Sequence, residues 1–259
     1  MKVQVHQFAD GSGVPSLAPP EKDTVHVWHA RTQPACVDPS QLAPMLSEDE
    51  RQRASRFRFQ KNRDEFLISH GMLRMLLGSY LSIAPQEVCF QYGSHGKPGL
   101  DCTAVQSTLS FNISHTDGLA LCAFSSRLRI GVDVEKVRKD FNTTEIAERF
   151  FSLVEREALR CLPAQEQHEA FFRCWTRKEA YIKALGEGLS HPLHQFDVSL
   201  TKTAAALLAT RPEPSETGRW FLHAVPLPEG YVGAVAVETA PRDLSSKEPL
   251  ALERESLHS

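Results

Sequence analysis

Residues 109–136 read LSFNISHTDGLALCAFSSRLRIGVDVEK, and this stretch decides the fold class. It contains three strand-like apolar runs, LSFNIS (109–114), GLALCAF (118–124) and RIGVDVEK (129–136). A long helix is predicted farther along the chain, from about Gln165 to Leu185, where Gly186 and Gly188 are typical helix C-terminal caps. Strands and helices in this mixed order favour an α+β fold over a doubly wound parallel sheet.

Two capping boxes predict the starts of further helices. Ser47 with Glu50 precedes an arginine-rich helix, and Ser152 with Glu155 precedes a short one. Between residues 62 and 80, apolar residues recur at helical spacing and predict a second long helix. The last strands are predicted near 196–201, 220–225 and 231–238.

The composition excludes several classes of function. The chain has 259 residues, with 29 Lys+Arg against 32 Asp+Glu and a formal net charge of −3, so no overall basic charge favours nucleic acid or an anionic membrane surface. No apolar run is long enough for a transmembrane helix, and the N-terminus lacks the apolar segment of a secretory signal. The six cysteines have no metal-site spacing. These features predict a cytoplasmic protein that binds neither nucleic acid nor membrane.

The segment GVDVEK at 131–136 carries two candidate metal ligands. Successive side chains of a strand point to opposite faces, so Asp133 and Glu135 share one face. Two carboxylates about 7 Å apart along a strand suit a hard cation such as Mg²⁺. The alternative is a half-buried strand with a solvated polar face, which is the commoner meaning of this pattern alone.

The helix around 175–188, WTRKEAYIKALGEG, brings further candidates. At 3.6 residues per turn, Trp175, Glu179 and Lys183 fall on one stripe, with Lys178 beside it. A simple ion pair between Glu179 and Lys183 is the alternative. That alternative leaves the tryptophan on the same stripe unexplained.

Two turns carry candidate phosphate ligands. Ser114 and His115 lie where a strand runs into a turn, and Lys97 lies in the Gly/Pro turn GSHGKPG at 93–99. Each turn equally fits solvated surface residues. With three carboxylates for one Mg²⁺, several basic residues and no nucleophilic triad, the whole set favours displacement at a phosphorus of a pyrophosphate. No P-loop sequence is present.

Three ordered motifs resemble one enzyme family. FNISH at 111–115, GVDVEK at 131–136 and FFRCWTRKEAYIKALGEGLSHPL at 171–193 are similar to those of the 4′-phosphopantetheinyl transferases of the surfactin-synthetase-activating (Sfp-type) branch. GKP at 96–98 and SEDERQRASRFRF at 47–59 extend the resemblance. It runs from about Ser47 to Val237.

The resemblance implies a reaction and an architecture. Members of the family transfer the 4′-phosphopantetheine arm of coenzyme A to a serine of an apo acyl or peptidyl carrier protein, releasing adenosine 3′,5′-bisphosphate. Their fold is a pseudo-dimer of two similar α+β halves, with the active site and coenzyme A in the cleft between them. Here the halves would be residues 1–126 and 127–240, followed by a disordered tail at 241–259. Because one chain supplies both sides of the cleft, we expect a monomer.

The resemblance also implies roles on the magnesium side of the cleft. Asp133, Glu135 and Glu179 match the family's magnesium ligands. Glu179 also matches the general base for the carrier serine. Lys183 matches the residue that neutralises the phosphate under attack or assists the leaving group, and Lys178 matches a contact to the pyrophosphate.

A second group of residues matches positions that hold the 3′-phosphate and adenosine end of coenzyme A. These are Ser114, His115, Lys97 and Arg53. Arg51 is the alternative to Arg53, because the early helix carries four arginines. Glu50 stands where family members have a further basic residue.

Three alternatives stay open from the sequence alone. A non-catalytic module that binds coenzyme A or a carrier protein would keep the fold without needing the acidic residues. A magnesium nuclease would need Glu and Lys two apart on a strand, whereas Glu179 and Lys183 are four apart on a helix. Phe141 could dock the carrier protein or pack in the core of its own half.

Overall fold

The computed structural model describes residues 1–9, 16–101, 107–211 and 213–239. The tail predicted to be disordered at 241–259 lies outside the described residues. No helix among the described residues is both long enough and apolar enough to span a membrane.

The described part of the chain forms eleven strands. They are β1 (Lys2–Gln7), β2 (Thr24–Arg31), β3 (Phe90–Tyr92), β4 (Pro98–Leu100), β5 (Leu109–Thr116), β6 (Leu119–Ser126), β7 (Ile130–Lys136), β8 (Phe196–Val198), β9 (Leu207–Thr210), β10 (Trp220–Ala224) and β11 (Tyr231–Glu238). The sequence analysis predicted six of them and missed five, β1 to β4 and β9.

The same described residues form six α-helices and several short 3₁₀ turns. The α-helices are α1 (Pro39–Leu42), α2 (Glu48–Ser55), α3 (Gln60–Leu81), α4 (Thr143–Phe150), α5 (Leu153–Arg160) and α6 (Ala164–Leu185). The 3₁₀ turns are Ala43–Met45, Pro85–Glu87, Gly188–Ser190, Leu193–Gln195 and Pro214–Arg219.

The helix signals in the sequence are confirmed. Both predicted capping boxes form, Ser47 with Glu50 at the start of α2 and Ser152 with Glu155 at the start of α5. Gly186 ends α6 in the left-handed region, at φ 80°, where glycine avoids the strain that a Cβ would cause.

The larger strands form two separate sheets. The first has the order β1-β2-β6-β5, and the second has the order β10-β11-β7. In the first sheet β1 and β2 are parallel, and β6 is antiparallel to both β2 and β5. Each sheet packs against one 22-residue helix, α3 on the first and α6 on the second. The predicted α+β class with two similar halves is confirmed.

Strand β6 shows how the sheets divide the core into layers. Leu119 and Leu121 join an apolar cluster between the two sheets, together with Val132 of β7 and Val235 of β11. The intervening residues of β6 face the other way, and Phe124 packs in the cluster beneath α3. The alternation of side chains along each strand therefore places one face of each sheet against its helix and the other face against the second sheet.

The second sheet comes very close to α6. A Cβ on Gly131 of β7 would lie 2.1 Å from the carbonyl oxygen of Ala180 and 2.3 Å from the amide nitrogen of Ala184. Only glycine therefore allows the helix backbone to rest on this strand at this distance. Asp133 lies two residues beyond Gly131 on the same face, so this contact also sets how near α6 lies to the carboxylates.

We predict that Gly131→Ala lowers the free energy of unfolding by about 3 kcal/mol, the upper range for an overpacked core. Backbone atoms of α6 already occupy the position that the added methyl group would take. These atoms cannot move aside as a flexible side chain could. Urea unfolding followed by circular dichroism measures the change.

Gly99→Ala is the matched control, because Gly99 also lies in a strand and a Cβ there would be 4.0 Å from the nearest atom. Equal effects of the two substitutions would contradict the importance of the close helix contact.

Candidate active site

A three-residue cluster joins the two sheets. The Ser114 hydroxyl of β5 donates to Asp133 Oδ1 of β7 at 2.9 Å. Lys183 Nζ of α6 donates to the same oxygen at 2.6 Å and to Ser114 Oγ at 3.0 Å. Asp133 is only 4% exposed, and its other oxygen, Oδ2, is buried without a hydrogen-bond partner. A buried oxygen of this kind is costly unless a ligand completes its bonding.

Two further carboxylates face this cluster. Burial and the nearby Asp133 carboxylate raise the pKa of Glu135 to about 7 and that of Glu179 to about 7. The Lys183 ammonium partly opposes both shifts. Thr116 Oγ1 donates to Glu135 at 3.4 Å. The structure therefore brings together the three carboxylates and the lysine that the sequence analysis selected.

The chemistry of these carboxylates suits a divalent cation. Among the described residues, no three His, Cys, Asp or Glu side chains are arranged to hold a metal ion as they stand, and Lys183 lies against Asp133. Three carboxylates with mutually unfavourable charge are hard oxygen ligands of the type that Mg²⁺ prefers. The unpartnered Oδ2 of Asp133 supports the same donor set.

Two basic side chains, His115 and Arg53, lie near this cluster. Partial burial lowers the pKa of His115, the Glu65 carboxylate raises it, and Lys183 and Arg53 lower it. Arg53, in the last turn of α2, is exposed and lies over the ring of Phe66 at 5.3 Å.

Arg51 is held within its own segment. One guanidinium nitrogen donates to Glu48 at 2.8 Å, and the other donates to the carbonyl oxygen of Leu46 at 2.7 Å. Of the two arginines proposed from the sequence, Arg53 is therefore the one that acts on His115.

Lys97 lines a small cavity next to Lys183. Its Nζ donates to the carbonyl oxygens of Ile130 at 2.8 Å and Ala184 at 3.4 Å, and burial lowers its pKa to about 8. It lines a cavity of about 210 Å³ together with Asn112 and Lys183. Lys97 thus ties the β3–β4 hairpin to the C-terminal end of α6 while bordering the space next to the cluster.

The sequence analysis missed His70 of α3. The ring of His70 stacks on Phe66, with centroids 3.8 Å apart, and its charged neighbours include His115 and Arg53. The sequence held no signal for it, since its position matters only once α2, α3 and β5 have packed together.

Comparison with known proteins decides the family. Residues 30–127 match the family model described as 4′-phosphopantetheinyl transferase, N-terminal, and residues 129–236 match that of the 4′-phosphopantetheinyl transferase superfamily. The chain belongs to the 4′-phosphopantetheinyl transferase superfamily.

Individual relatives agree with this assignment. The chain is 40% identical to the 4′-phosphopantetheinyl transferase HetI of Nostoc sp., over 83% of this chain and 88% of HetI. It is 32% identical to a putative 4′-phosphopantetheinyl transferase, slr0495, of Synechocystis sp., over 71% of this chain and 73% of that protein. It is 33% identical to the 4′-phosphopantetheinyl transferase Sfp of Bacillus subtilis, over 60% and 66% of the two chains. These matches support the Sfp-like branch of the superfamily.

One residue expected to bind ligand in this transferase is turned away from the site. Lys178 is completely buried, forms an ion pair with Glu155 at 2.8 Å, and donates to the carbonyl oxygens of Leu193 and Phe196 at 2.7 and 2.6 Å. Glu155 in turn accepts from the Val198 amide at 2.8 Å. The expected contact between Lys178 and the pyrophosphate is therefore wrong, because every hydrogen of the ammonium group is already directed at a protein oxygen.

Two aromatic residues also prove to be packing residues. Trp175 contacts Phe150 and Phe171, with ring centroids 5.7 and 6.2 Å apart. Phe141 packs against Phe171 and Phe172. The packing interpretation of Phe141 accounts for its position, and the tryptophan on the Glu179 stripe needs no ligand to explain it.

We predict that Lys178→Met lowers the free energy of unfolding by about 3–5 kcal/mol, because it leaves the Glu155 carboxylate buried without its charged partner. Urea unfolding of the purified variant measures this loss.

Lys202→Met, at an exposed lysine, is the matched control and should change stability little. If Lys178→Met were as stable as wild type and had a raised KM for coenzyme A, the expected contact between Lys178 and the pyrophosphate would be supported after all.

We predict that Glu179→Gln stabilises the metal-free protein at high pH. The pKa of Glu179 is raised from 4.5 to about 7, so the wild-type protein loses stability as the pH rises through 7, where the native state must hold the charged carboxylate. In EDTA, the variant should gain on the order of 2 kcal/mol relative to wild type between pH 5 and pH 8. Thermal and urea unfolding across this range measure the difference.

Glu157→Gln serves as the control, since the Glu157 side chain is 70% exposed. A stability difference between Glu179→Gln and wild type that does not change with pH would show that burial does not perturb Glu179.

Proposed function

We propose that this chain transfers the 4′-phosphopantetheine arm of coenzyme A to a serine of an apo acyl or peptidyl carrier protein, with release of adenosine 3′,5′-bisphosphate. Membership of the superfamily and the similarity to HetI and Sfp support this reaction. The observation that carries it at the level of residues is the cluster of Ser114, Asp133 and Lys183, faced by Glu135 and Glu179, where the two sheets meet.

The proposal includes a Mg²⁺ ion held by Asp133, Glu135 and Glu179. The buried, unpartnered Oδ2 of Asp133 and the raised pKa values of the two glutamates support this donor set. A bound Mg²⁺ would neutralise charge on the pyrophosphate of coenzyme A. It would also relieve the repulsion between the carboxylates, which explains how a buried acidic group of this kind can be retained.

Glu179 is proposed as the general base for the carrier serine. A hydroxyl group is a poor nucleophile until a base accepts its proton, and a base works best with a pKa near the operating pH. The raised pKa of Glu179, about 7, meets this condition. Because Glu179 lies one helical turn before Lys183, the base and a cation for the developing phosphate charge lie on the same face of α6.

Lys183 and Ser114 are proposed to act on the phosphate side of the reaction. Lys183 Nζ is held by Asp133 and Ser114 in the described geometry, and a phosphate oxygen arriving in the cleft would be a third acceptor for its three hydrogens. Ser114 helps to hold the side chains of Asp133 and Lys183 in place through its hydrogen bonds with both. Arg53 and His115 are proposed for the 3′-phosphate end of coenzyme A, and Lys97 for the wall of the cavity beside Lys183.

The two halves, 1–126 and 127–240, are proposed as the functional units of a monomer. Ser114 and His115 come from the first half, whereas the carboxylates and Lys183 come from the second. A single chain therefore contributes both sides of the cleft. We propose a cytoplasmic location, where coenzyme A and apo carrier proteins would meet the enzyme.

Intact-mass spectrometry of an apo carrier protein tests the proposal. Incubation with this protein, coenzyme A and Mg²⁺ should add one phosphopantetheine mass to the carrier, and EDTA should prevent the gain. Glu179→Gln should lower transfer by at least about 100-fold, the scale of a lost general base, while binding of coenzyme A measured by calorimetry is retained.

Two results would contradict the proposal. Full transfer activity of the Glu179→Gln variant would show that Glu179 is neither the general base nor an essential metal ligand. Coenzyme A binding without transfer to fatty acid, polyketide or peptide carriers would favour a non-catalytic binding module.

A further inference from the structure

Lys97 is a buried lysine that the proposed reaction uses only as part of a cavity wall. Its Nζ donates to the carbonyl oxygen of Ile130 at 2.8 Å and to that of Ala184 at 3.4 Å. Burial, and then the charge of Arg129, lowers the pKa of Lys97 to about 8, so its ammonium group is charged at neutral pH. Burying a cation is costly unless it is hydrogen-bonded, so Lys97 depends on these two carbonyl oxygens.

The carbonyl oxygen of Ala184 lies at the negative end of α6. The last carbonyl groups of a helix find no partner among the amides of the helix itself, and the helix dipole places partial negative charge there. The amide of Gly186, just after the helix, donates to Ile182, which leaves Ala184 to Lys97. A cation from the first half of the chain therefore caps the helix that carries Glu179 and Lys183.

The carbonyl oxygen of Ile130 lies at the start of β7, the strand that ends the second sheet. Two residues farther on, the backbone N–H of Val132 donates to Asn112 of β5 at 2.8 Å. Residues two apart in a strand direct their backbone groups to the same side. Lys97 therefore extends the row of side-chain links from the first half along this edge of β7.

Ile130 and Ala184 flank the point where β7 and α6 touch. Gly131 follows Ile130, and a Cβ on this glycine would lie 2.3 Å from the amide nitrogen of Ala184. Lys183 precedes Ala184, and its Nζ donates to Asp133 at 2.6 Å. One ammonium group thus binds the backbone of both elements, three residues before Asp133 on β7 and one residue after Lys183 on α6.

The β3–β4 hairpin holds Lys97 in place for these contacts. The amide of Gly93 donates to the carbonyl oxygen of Lys97 at 3.0 Å and closes the turn. Gly96 within the turn has φ 77°, a conformation in which glycine avoids strain. His95 Nε2 lies 3.3 Å from Ser190 Oγ, in the turn that follows α6. The hairpin therefore contacts the C-terminal end of α6 through two side chains, and one of them, Lys97, also reaches β7.

We propose that Lys97 is a positioning residue that holds the end of α6 against β7 and thereby places Lys183 for the phosphate under attack. The inference rests on the proposed function, which makes Lys183 act on that phosphate. It gives Lys97 a role different from the coenzyme A contact that the sequence resemblance implies. Loss of a ligand contact would weaken substrate binding, whereas loss of a positioning residue would slow the chemical step.

Kinetics of Lys97→Met, which removes the charge and keeps most of the side-chain volume, separate the two roles. With an apo carrier protein as acceptor, we expect kcat to fall about 10- to 100-fold, the effect of a small displacement of the reacting groups. The KM for coenzyme A, and its Kd from calorimetry, should change by less than about twofold. Lys97→Arg, which keeps a charged donor, should recover part of kcat.

Calorimetry also gives the fraction of each protein sample that binds coenzyme A. Expressing kcat per binding site keeps partial unfolding of the variant from imitating a slower chemical step.

Hydrogen exchange tests the contact with α6 without any need for activity. Without its cap, the last turn of α6 should open more often, so the amides of residues 183–186 should exchange about tenfold faster in Lys97→Met than in wild type. Lys97→Arg should restore slower exchange. Lys22→Met, at an exposed lysine of the first half, is the matched control and should change neither kcat nor exchange.

Two outcomes would overturn the positioning role. The first is a raised KM and Kd for coenzyme A with unchanged kcat in Lys97→Met, which would make Lys97 a ligand residue. The second is wild-type exchange of residues 183–186 in that variant, which would reject the cap and leave the proposed reaction standing. If wild type transferred nothing to any carrier, the proposed function would fail, whereas faster exchange in Lys97→Met would still support the hold of Lys97 on α6.

Discussion

The polar side chains of β5 that reach across to β7 are the constraint on which the rest of the site depends. These strands end different sheets, so side chains take the place of a backbone ladder between them. The amide oxygen of Asn112 accepts from the backbone N–H of Val132 at 2.8 Å, and Ser114 donates to Asp133 at 2.9 Å. A buried N–H left without its acceptor costs about 1–3 kcal/mol. The same short row of residues therefore joins the halves and sets the position of the first carboxylate.

Acidic and basic side chains lie at different ends of the cleft, as the proposed metal ion and polyanionic donor would require. Asp133, Glu135 and Glu179 lie on the side of β7 and α6, where burial and mutual repulsion raise the pKa values of both glutamates. On the side of α2, α3 and β5, Arg53 and His115 have basic neighbours. Within each group, like charges in a partly buried site repel each other. On the proposed function, a cation at one end and a phosphate at the other would each offset this repulsion.

The sequence predicted the long helices and the strands that carry the site residues, but it missed five other strands. Capping boxes and glycine caps are local signals, and they correctly predicted the starts of α2 and α5 and the end of α6. Strand β2 was missed because it pairs with β6, more than 80 residues away in the sequence. Strand β1 was missed because it depends on β2, with which it pairs in parallel. The alternation of Asp133 and Glu135 correctly predicted a shared face. The surroundings of His70 could not be predicted, since two other elements contribute its neighbours His115 and Arg53.

Helix geometry alone determines whether Lys178 can lie on the same side of α6 as Glu179 and Lys183. Neighbouring residues of an α-helix are turned by about 100° from each other, whereas residues four apart share a face. If Glu179 and Lys183 both face the carboxylate strand, Lys178 must point toward a different side of α6. There it binds Glu155, which also holds the backbone of Val198. The buried ion pair behind the helix thus anchors the element whose opposite face carries Glu179, and the close contact at Gly131 fixes its distance from β7. A helix held on both sides in this way has little freedom to move the Glu179 carboxylate, and the proposed general-base role would require that rigidity.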